Sequence, residues 1–380
     1  MNRVDIGGVE FRWNHVESIS SIDEQQWDTC AGDNPLVRHA FFRALETSGS
    51  TGFDHGVVPG YFLLRDRTGT LVACVPTALK WGNLREFGPE ITWIQAGLAR
   101  DCFQWPKFQA CSPLFPRMAP KLLVHPQWRS AAFRAGLLRL LIGLGAAEGR
   151  FSAFNLMHLP AEDARGCAAE GALISYEQRS AWTNPGVATF DDYVAQLPHR
   201  KRRMLRRERA RTEALGLTVA VRHGTEVSTA LATDFYAGYR AVCRRHGHET
   251  WLPPAVFEQL CARMPDAVRI FTVHDGDRYV AGLFCFQNRD TLFVDTWSAP
   301  DDVPDLCFEM LCYRPMEYAI EHNLTSIDAG LSSPYKTVRG YRADPVFNAH
   351  WFYDERLAAL ARTVLNLPAY SAGERLLDVG

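Results

Sequence analysis

Residues 200–211, RKRRMLRRERAR, put eight basic side chains into twelve positions of a chain whose formal net charge is only −2. Charge packed this densely must face a polyanion, acidic groups elsewhere in the fold, or water. Arg200, Lys201, Arg202, Arg203, Arg206 and Arg207 are therefore candidate contacts to the phosphates of RNA or of a phosphorylated substrate. The alternative is a solvated arginine-rich helix, and charge alone weighs the two equally. A second cationic motif, YKTVRGY at residues 335–341, sets Lys336 and Arg339 three apart. On a helical turn they face one side, and Gly340 lets the backbone come close to a bound group, which makes this a candidate anion site.

The elements that must carry these residues follow from hydrophobic period and chain punctuation. At helical spacing Leu197, Met204, Leu205 and Leu215 give the basic segment only a thin apolar stripe, so it reads as a projecting or half-docked helix. Thr189 is its N-cap candidate, Asp191 and Asp192 fall in its first turn, Gly216 closes it, and Pro198 kinks or splits it. Upstream, VEFRW at residues 9–13 predicts a strand, residues 22–31 and 40–47 predict helices, and residues 60–65 and 71–77 form a hairpin about DRTGT. An aromatic, proline-rich stretch at 81–126 is long for a loop and suits the lining of a cleft. A helix at 130–148 and a strand at 151–157 follow. The second half repeats the order: a strand at 217–222, helices at 230–246 and 254–264, strands at 268–274, 279–287 and 291–297, a helix at 305–322 kinked by Pro315, and a strand at 326–328. Two halves of like order predict a structural duplication. The turn-rich WTNPGV at 182–187 divides it into domains 1–183 and 184–380, the second including the basic helix at 190–216.

Bulk properties exclude several classes. At 380 residues two domains are the prior expectation, and 47% hydrophobic with 22% charged residues is a globular composition. Residues 1–15 lack an apolar core with a cleavage site, and the longest apolar run, 137–147, is short for a bilayer and carries Arg139. A soluble, cytoplasmic chain is expected. Ten cysteines without a C-x-x-C pair argue for reduced thiols, and the His246, His248, Glu249 cluster lacks a second ligand pair, so no metal is expected. GLGAAEG at 143–149 follows a helix and precedes a strand, the reverse of a nucleotide fingerprint. No G-x-S-x-G elbow supports a serine hydrolase.

Hairpin strands followed by strand, helix and strand resemble the core of the GNAT acyltransferase fold. The chain more closely resembles the bacterial peptidoglycan biosynthesis/recognition family, which is GNAT-like and related to the Fem-type aminoacyl transferases. The motifs are NPLVRHAFFRALETSGSTG at 34–52, FDDYVAQLPHRKRRMLRRER at 190–209, DLCFEMLCYRPMEYAIEHNL at 305–324 and DAGLSSPYKTVRGYRADPVFNAHW at 328–351. The resemblance implies an α/β fold with mixed sheets, built as two tandem GNAT-like domains with a basic helical arm. Three polar positions depart from the family pattern: Asp305 replaces the histidine of H-L-C-F-E, Ser333-Pro334-Tyr335-Lys336 replaces G-E-H-K, and Ala181-Trp182-Thr183-Asn184 replaces S-W-H-N. Together they suggest a changed acceptor or a specialised pathway enzyme.

An amine acyltransferase must bind its donor, polarise the donor carbonyl and dispose of an amine proton. The turn that would cradle the pyrophosphate of coenzyme A, SAPDDVPDL at 298–306, carries Asp301, Asp302 and Asp305 and no glycine, so it repels an anion. YKTVRGY resembles the Fem-type Lys-x-x-Lys/Arg-Gly-aromatic segment, which gives Lys336 and Arg339 the role of holding phosphate or a developing oxyanion, with Tyr335 beside them. Asp328, Glu46 and His350 are the candidate bases; Glu309 either joins them, contacts substrate or braces its helix. Asp328 ends the strand near the V-shaped opening at which GNAT folds place the acyl group. Ser48 and Ser50 follow Glu46 and offer hydroxyls to a carboxylate or amide. His350 in FNAHWF faces either the cleft or the core, and Trp297 and Trp351 either wall an acyl pocket or fill a core.

The function expected is N-acyl transfer to an amine, in cell-wall or specialised peptide or amide biosynthesis. No tightly bound cofactor is expected; the cosubstrate is aminoacyl-tRNA or an acyl thioester such as acyl-CoA, with tRNA as a contact of the arm. The basic run and the acidic turn favour aminoacyl-tRNA. The rival from another class is a non-catalytic module that recognises RNA or an anionic cell-wall precursor.

Overall fold

The structure, a computed structural model, describes residues 2–82 and 89–367. They cluster in two compact units, one drawn from residues 2–46, 51–177 and 345–367, the other from residues 47–50 and 178–344.

The first unit has strands β1 (Asn2–Ile6), β2 (Val9–Val16), β3 (Val57–Arg65), β4 (Leu71–Lys80), β5 (Lys107–Ala110), β6 (Leu123–Val124) and β7 (Ala153–Leu159). Strands β3 and β4 form the expected hairpin, closed by Asp66, whose carboxylate accepts from the backbone N–H groups of Thr68 (2.9 Å) and Thr70 (3.0 Å). Nearly every residue of β4 is buried, as a central strand covered on both faces requires. Helix Ala131–Ala147 starts where the Ser130 hydroxyl accepts from the Phe133 N–H, and it buries Phe133, Leu137, Leu138 and Leu141 in the unit's core. Each such side chain contributes about 1.5–3 kcal/mol of burial.

The second unit has β9 (Thr218–His223), β10 (Val268–Asp275), β11 (Arg278–Gln287), β12 (Thr291–Ser298) and β13 (Ser326–Leu331), antiparallel from β9 to β12 and parallel between β12 and β13. The first unit holds one parallel pair in the same place, β5 beside β7. Both pairs are short. Phe108–Phe154 to Ala110–Leu156 are matched in one, and Thr291–Ser326 to Phe293–Asp328 in the other; beyond those positions no pairing joins the strands.

The strands that complete the sheets explain why the units do not follow chain order. Strand β8 (Leu173–Thr183) gives residues 178–183 to the second unit, where it pairs β13; β14 (Arg342–Phe352) gives residues 345–352 to the first, where it pairs β7. Helix Glu355–Leu365 then packs on helix Pro89–Leu98 in the first unit's second core. The chain thus leaves the first unit after residue 177 and returns to it at residue 345.

Two local features differ from the sequence reading. The 81–126 stretch carries helix Pro89–Leu98 and strands β5 and β6; its residues 83–88 lie outside the described residues. Helix 305–322 is not simply kinked at Pro315: Glu309–Tyr313 adopts π-helical geometry just ahead of it. Proline has no N–H for the Leu311 carbonyl, and the Tyr341 hydroxyl donates to that carbonyl instead, at 3.1 Å. Among the described residues no helix is long and apolar enough to cross a membrane.

Candidate functional site

The basic segment is two helices, Phe190–Gln196 and His199–Glu213, split at Leu197–Pro198 as the proline dictates. Thr189 and Asp192 form a capping box at the start of the first. The second is docked rather than projecting. Leu205, Glu208 and Thr212 are buried, Met204 is half-buried and Leu215 lies exposed beyond the helix.

Docking sorts the cations by face. Arg209 is half-buried between Glu309 (3.1 Å) and Glu317 (3.0 Å), over the Phe190 ring; Arg211 pairs with Asp305 (2.9 Å), and Arg202 donates to the Ala195 carbonyl. On another face Arg200, Lys201, Arg203 and Arg207 line an open groove of about 710 Å³ with His199, Met204, Thr337 and Val338. Arg206 is exposed beside them without lining the groove. The acidic turn at 298–306 thus has one of its carboxylates, Asp305, neutralised by the basic helix itself.

The far wall of the groove belongs to helix Pro334–Val338, which carries Lys336. Lys201 Nζ donates to the Thr337 carbonyl at 3.4 Å. Lys336 and Arg339 engage different partners instead of sharing one anion. The buried Lys336 ammonium donates to the carbonyls of Ala329 and Leu331, with its Nζ 5.8 Å from the Tyr335 ring. These carbonyls lie where β13 breaks register against β8, between Asp328 and Leu331, beyond the parallel pairing with β12. Arg339 binds Glu208 through two nitrogens (2.9 and 2.7 Å), lies 3.4 Å over the Phe308 ring and donates to the Tyr335 carbonyl. Its guanidinium is therefore committed to the protein, a correction to its expected contact with substrate. Glu208 also accepts from the Tyr313 hydroxyl at 2.6 Å.

Asp328 is buried at the end of the β12–β13 pairing, 3.0 Å from Arg179, and accepts from the Gly330 N–H at 2.9 Å. Arg179 was missed in sequence; its position in YEQRSAW, facing the acid across β8 and β13, is legible only once the strands pair. Trp297 is half-buried on the part of β12 that pairs β11 beyond the end of the β13 pairing, and it packs on the second unit's core, as does Tyr335. Glu309 faces Arg209 and Arg314 (2.7 Å), and burial pushes its carboxyl above the usual carboxylate range against the pull of both. Its geometry is that of a brace. Ser48 and Ser50 bond each other at 2.6 Å.

Two candidates lie in the first unit with other tasks. Glu46 accepts from Ser18 Oγ (2.7 Å), the Ile19 N–H (2.9 Å) and the Tyr61 hydroxyl (2.7 Å), tying a helix end to the preceding turn. A carboxylate with its oxygens so occupied is a poor base. Glu46→Ala is expected to lower the unfolding free energy by about 1–3 kcal/mol, read by urea denaturation, because it leaves the buried Tyr61 hydroxyl without its acceptor. His350 is buried on β14, 2.9 Å from Ser175 Oγ and 3.5 Å from Glu90, edge-on to Trp93; Trp351 is buried against Phe154 and donates to the Glu170 carbonyl. Both belong to the interior of that unit.

The fold is a mixed α/β fold. Among solved structures, it is similar to the C-terminal domain of a putative lysylphosphatidylglycerol synthetase from Agrobacterium fabrum (TM-score 0.57, 12% identity, covering 94% of this chain and 99% of that one). FemX is similar at TM-score 0.55 and 12% identity, over 89% and 98% of the two chains. L-PGS from Bacillus licheniformis gives TM-score 0.52 and 10% identity over 85% and 96%. At these identities the likeness is one of fold. No curated protein matches significantly in sequence. The family model FemAB-like, described as peptidoglycan biosynthesis/recognition, matches residues 18–371.

Proposed function

The chain belongs to the FemAB-like family of peptidoglycan biosynthesis/recognition, and on that basis we propose that it transfers an aminoacyl group from aminoacyl-tRNA to an amine acceptor. The observation that carries this reading is the sorting of charge on helix His199–Glu213. Acids of the second unit take up Arg209 and Arg211, while Arg200, Lys201, Arg203 and Arg207 are left along one groove. A helix that was merely solvated would not need a face reserved in this way. Along the axis, residues 200 to 207 span ~10 Å, enough to follow a phosphate backbone.

Helix Pro334–Val338 joins this groove to the opened end of β13 through Thr337 and Lys336. In the reaction the acceptor amine attacks the ester carbonyl, a C–N bond forms, and the C–O bond to the ribose breaks. The amine's proton passes to the departing ribose oxygen, so no strong protein base is required. The Lys336 ammonium supplies positive charge to the developing oxyanion. Asp328, fixed by Arg179, orients the amine.

Arg203→Glu with Arg207→Glu tests the groove. Four phosphate contacts give log Kd a salt slope of roughly 3, measured by filter binding of charged tRNA over a salt series. The double variant is expected to bind at least about tenfold more weakly and to lose about half of that slope. An unchanged slope would place the RNA elsewhere or nowhere on the protein.

A further inference from the structure

The second unit's sheet ends on an edge that lacks the usual protection. Strand β9 bonds β10 and, among the described residues, no other strand. Proteins blunt an open edge with lysine, proline, a bulge or exposed charge. The first unit follows that rule at its own edge, where β1 exposes Arg3 and Asp5 within five residues. Strand β9, TVAVRH, holds neither lysine nor proline and keeps unbroken register with β10. Ahead of His223 its only charge is Arg222.

Side chains and backbone are both open along this edge. Leu217, Val219 and Val221 alternate onto one face. Leu217 and Val219 pack partly on the unit's core, while Val221 stays 36% exposed. The Thr272 hydroxyl of β10 reaches the Ala220 carbonyl at 3.4 Å, so Ala220 turns its backbone groups toward β10. In an antiparallel pair such residues alternate with ones whose N–H and C=O point away, here Val219, Val221 and His223. Glu226 takes the His223 N–H at 2.7 Å, which closes the edge at that end. Among the described residues, the outward groups of Val219 and Val221 meet no protein partner.

We propose that a second copy of this chain covers β9, strand against strand, about a two-fold axis through Ala220. A two-fold antiparallel pair places one residue opposite itself. With Ala220 there, Val219 faces the partner's Val221 and Val221 faces the partner's Val219, so the outward groups of both valines exchange backbone hydrogen bonds. The apolar stripes then share one face of the joined sheet, and Arg222 lies opposite the partner's Thr218. Other registers are worse. An axis at Arg222 opposes two guanidiniums, one at Val221 sets Val219 against a His223 whose N–H is already taken, and one at Val219 runs the pair into Gly216, whose φ of +65° ends the extended run. Strands this short bury less than the roughly 1,200 Å² of a standard interface, so the dimer is weak and concentration-dependent. No residue lining the groove lies on β9, and the inference stands apart from the aminoacyl-transfer reading.

Sedimentation of the full chain between about 5 and 500 µM is expected to show a monomer–dimer equilibrium, which Val221→Lys weakens by about tenfold or more. In this pairing the opposed Ala220 Cα atoms stand roughly 4.5 Å apart, within disulfide reach. Ala220→Cys is therefore expected to give a linked dimer under mild oxidation, with far less from Val221→Cys or from the wild type. If Val221→Lys does not fold, the crosslinking decides by itself. Monomer at every concentration, a dimer that Val221→Lys leaves intact, or linkage through Val221→Cys in place of Ala220→Cys overturns the proposal.

Discussion

Lys336→Met is expected to reduce kcat for acyl transfer by roughly 100- to 1,000-fold with little change in the KM for aminoacyl-tRNA. Methionine keeps the apolar stem and removes only the ammonium, whose hydrogen bonds go to the carbonyls of Ala329 and Leu331 beyond the last paired residue of β12 and β13. A charge at that point acts on the oxyanion, which exists only in the transition state, so kcat carries the loss. The proposed phosphate contacts, Arg200, Lys201, Arg203 and Arg207 along the groove, are left intact by the substitution. Single-turnover rates and tRNA affinity, measured separately, check both halves. A variant with unchanged turnover removes Lys336 from the chemistry, and one with weakened tRNA binding alone makes it part of the grip.

The largest effect on stability is expected at Glu208. This acid sits inside the basic run yet is buried, and it accepts from Arg339 twice and from Tyr313 once. Glu208→Ala leaves the Arg339 guanidinium, itself only 9% exposed, without its counter-charge. Breaking a buried pair from one side costs about 3–5 kcal/mol, which guanidinium chloride unfolding resolves easily. Removing both charges, as Glu208→Ala with Arg339→Met, is expected to recover part of that loss, because the stranded charge goes too. The same pair fastens the helix that bears the groove to the segment that bears Lys336. A Glu208→Ala protein within about 1 kcal/mol of the wild type would mean that the apolar contacts of Leu205 hold the helix by themselves.

Local rules made much of this legible in sequence. The β3–β4 hairpin, the capped helix at 131–147, the break at Pro198 and the run of strands in the second half rest on turn residues, caps and period, all of them near neighbours in the chain. The pairing of β8 with β13 and of β14 with β7 does not, because each joins residues more than 140 positions apart. For the same reason Arg179 could not be matched to Asp328. The basic run announced its excess charge and hid its order: which arginines face the groove depends on acids at 305, 309 and 317, a hundred residues downstream. Glu208 carries the one usable hint, a lone acid among eight cations, in a run whose charge as a whole points to exposure. Lys107 and Glu90 gave no hint, since charged residues are buried this completely only when paired, and their partnership is again non-local.

The central claim is tested most directly by following a radiolabelled aminoacyl group. Purified protein is given charged tRNA, or the matching acyl-CoA, together with amine-bearing peptidoglycan precursors, and label is counted on the acceptor. The account predicts transfer from tRNA that falls steeply with salt and is lost with Arg203→Glu and Arg207→Glu. Salt-sensitive tRNA binding with no transfer to any amine would contradict it and leave a recognition module in place of the enzyme, while transfer from acyl-CoA alone would contradict the assignment of the groove.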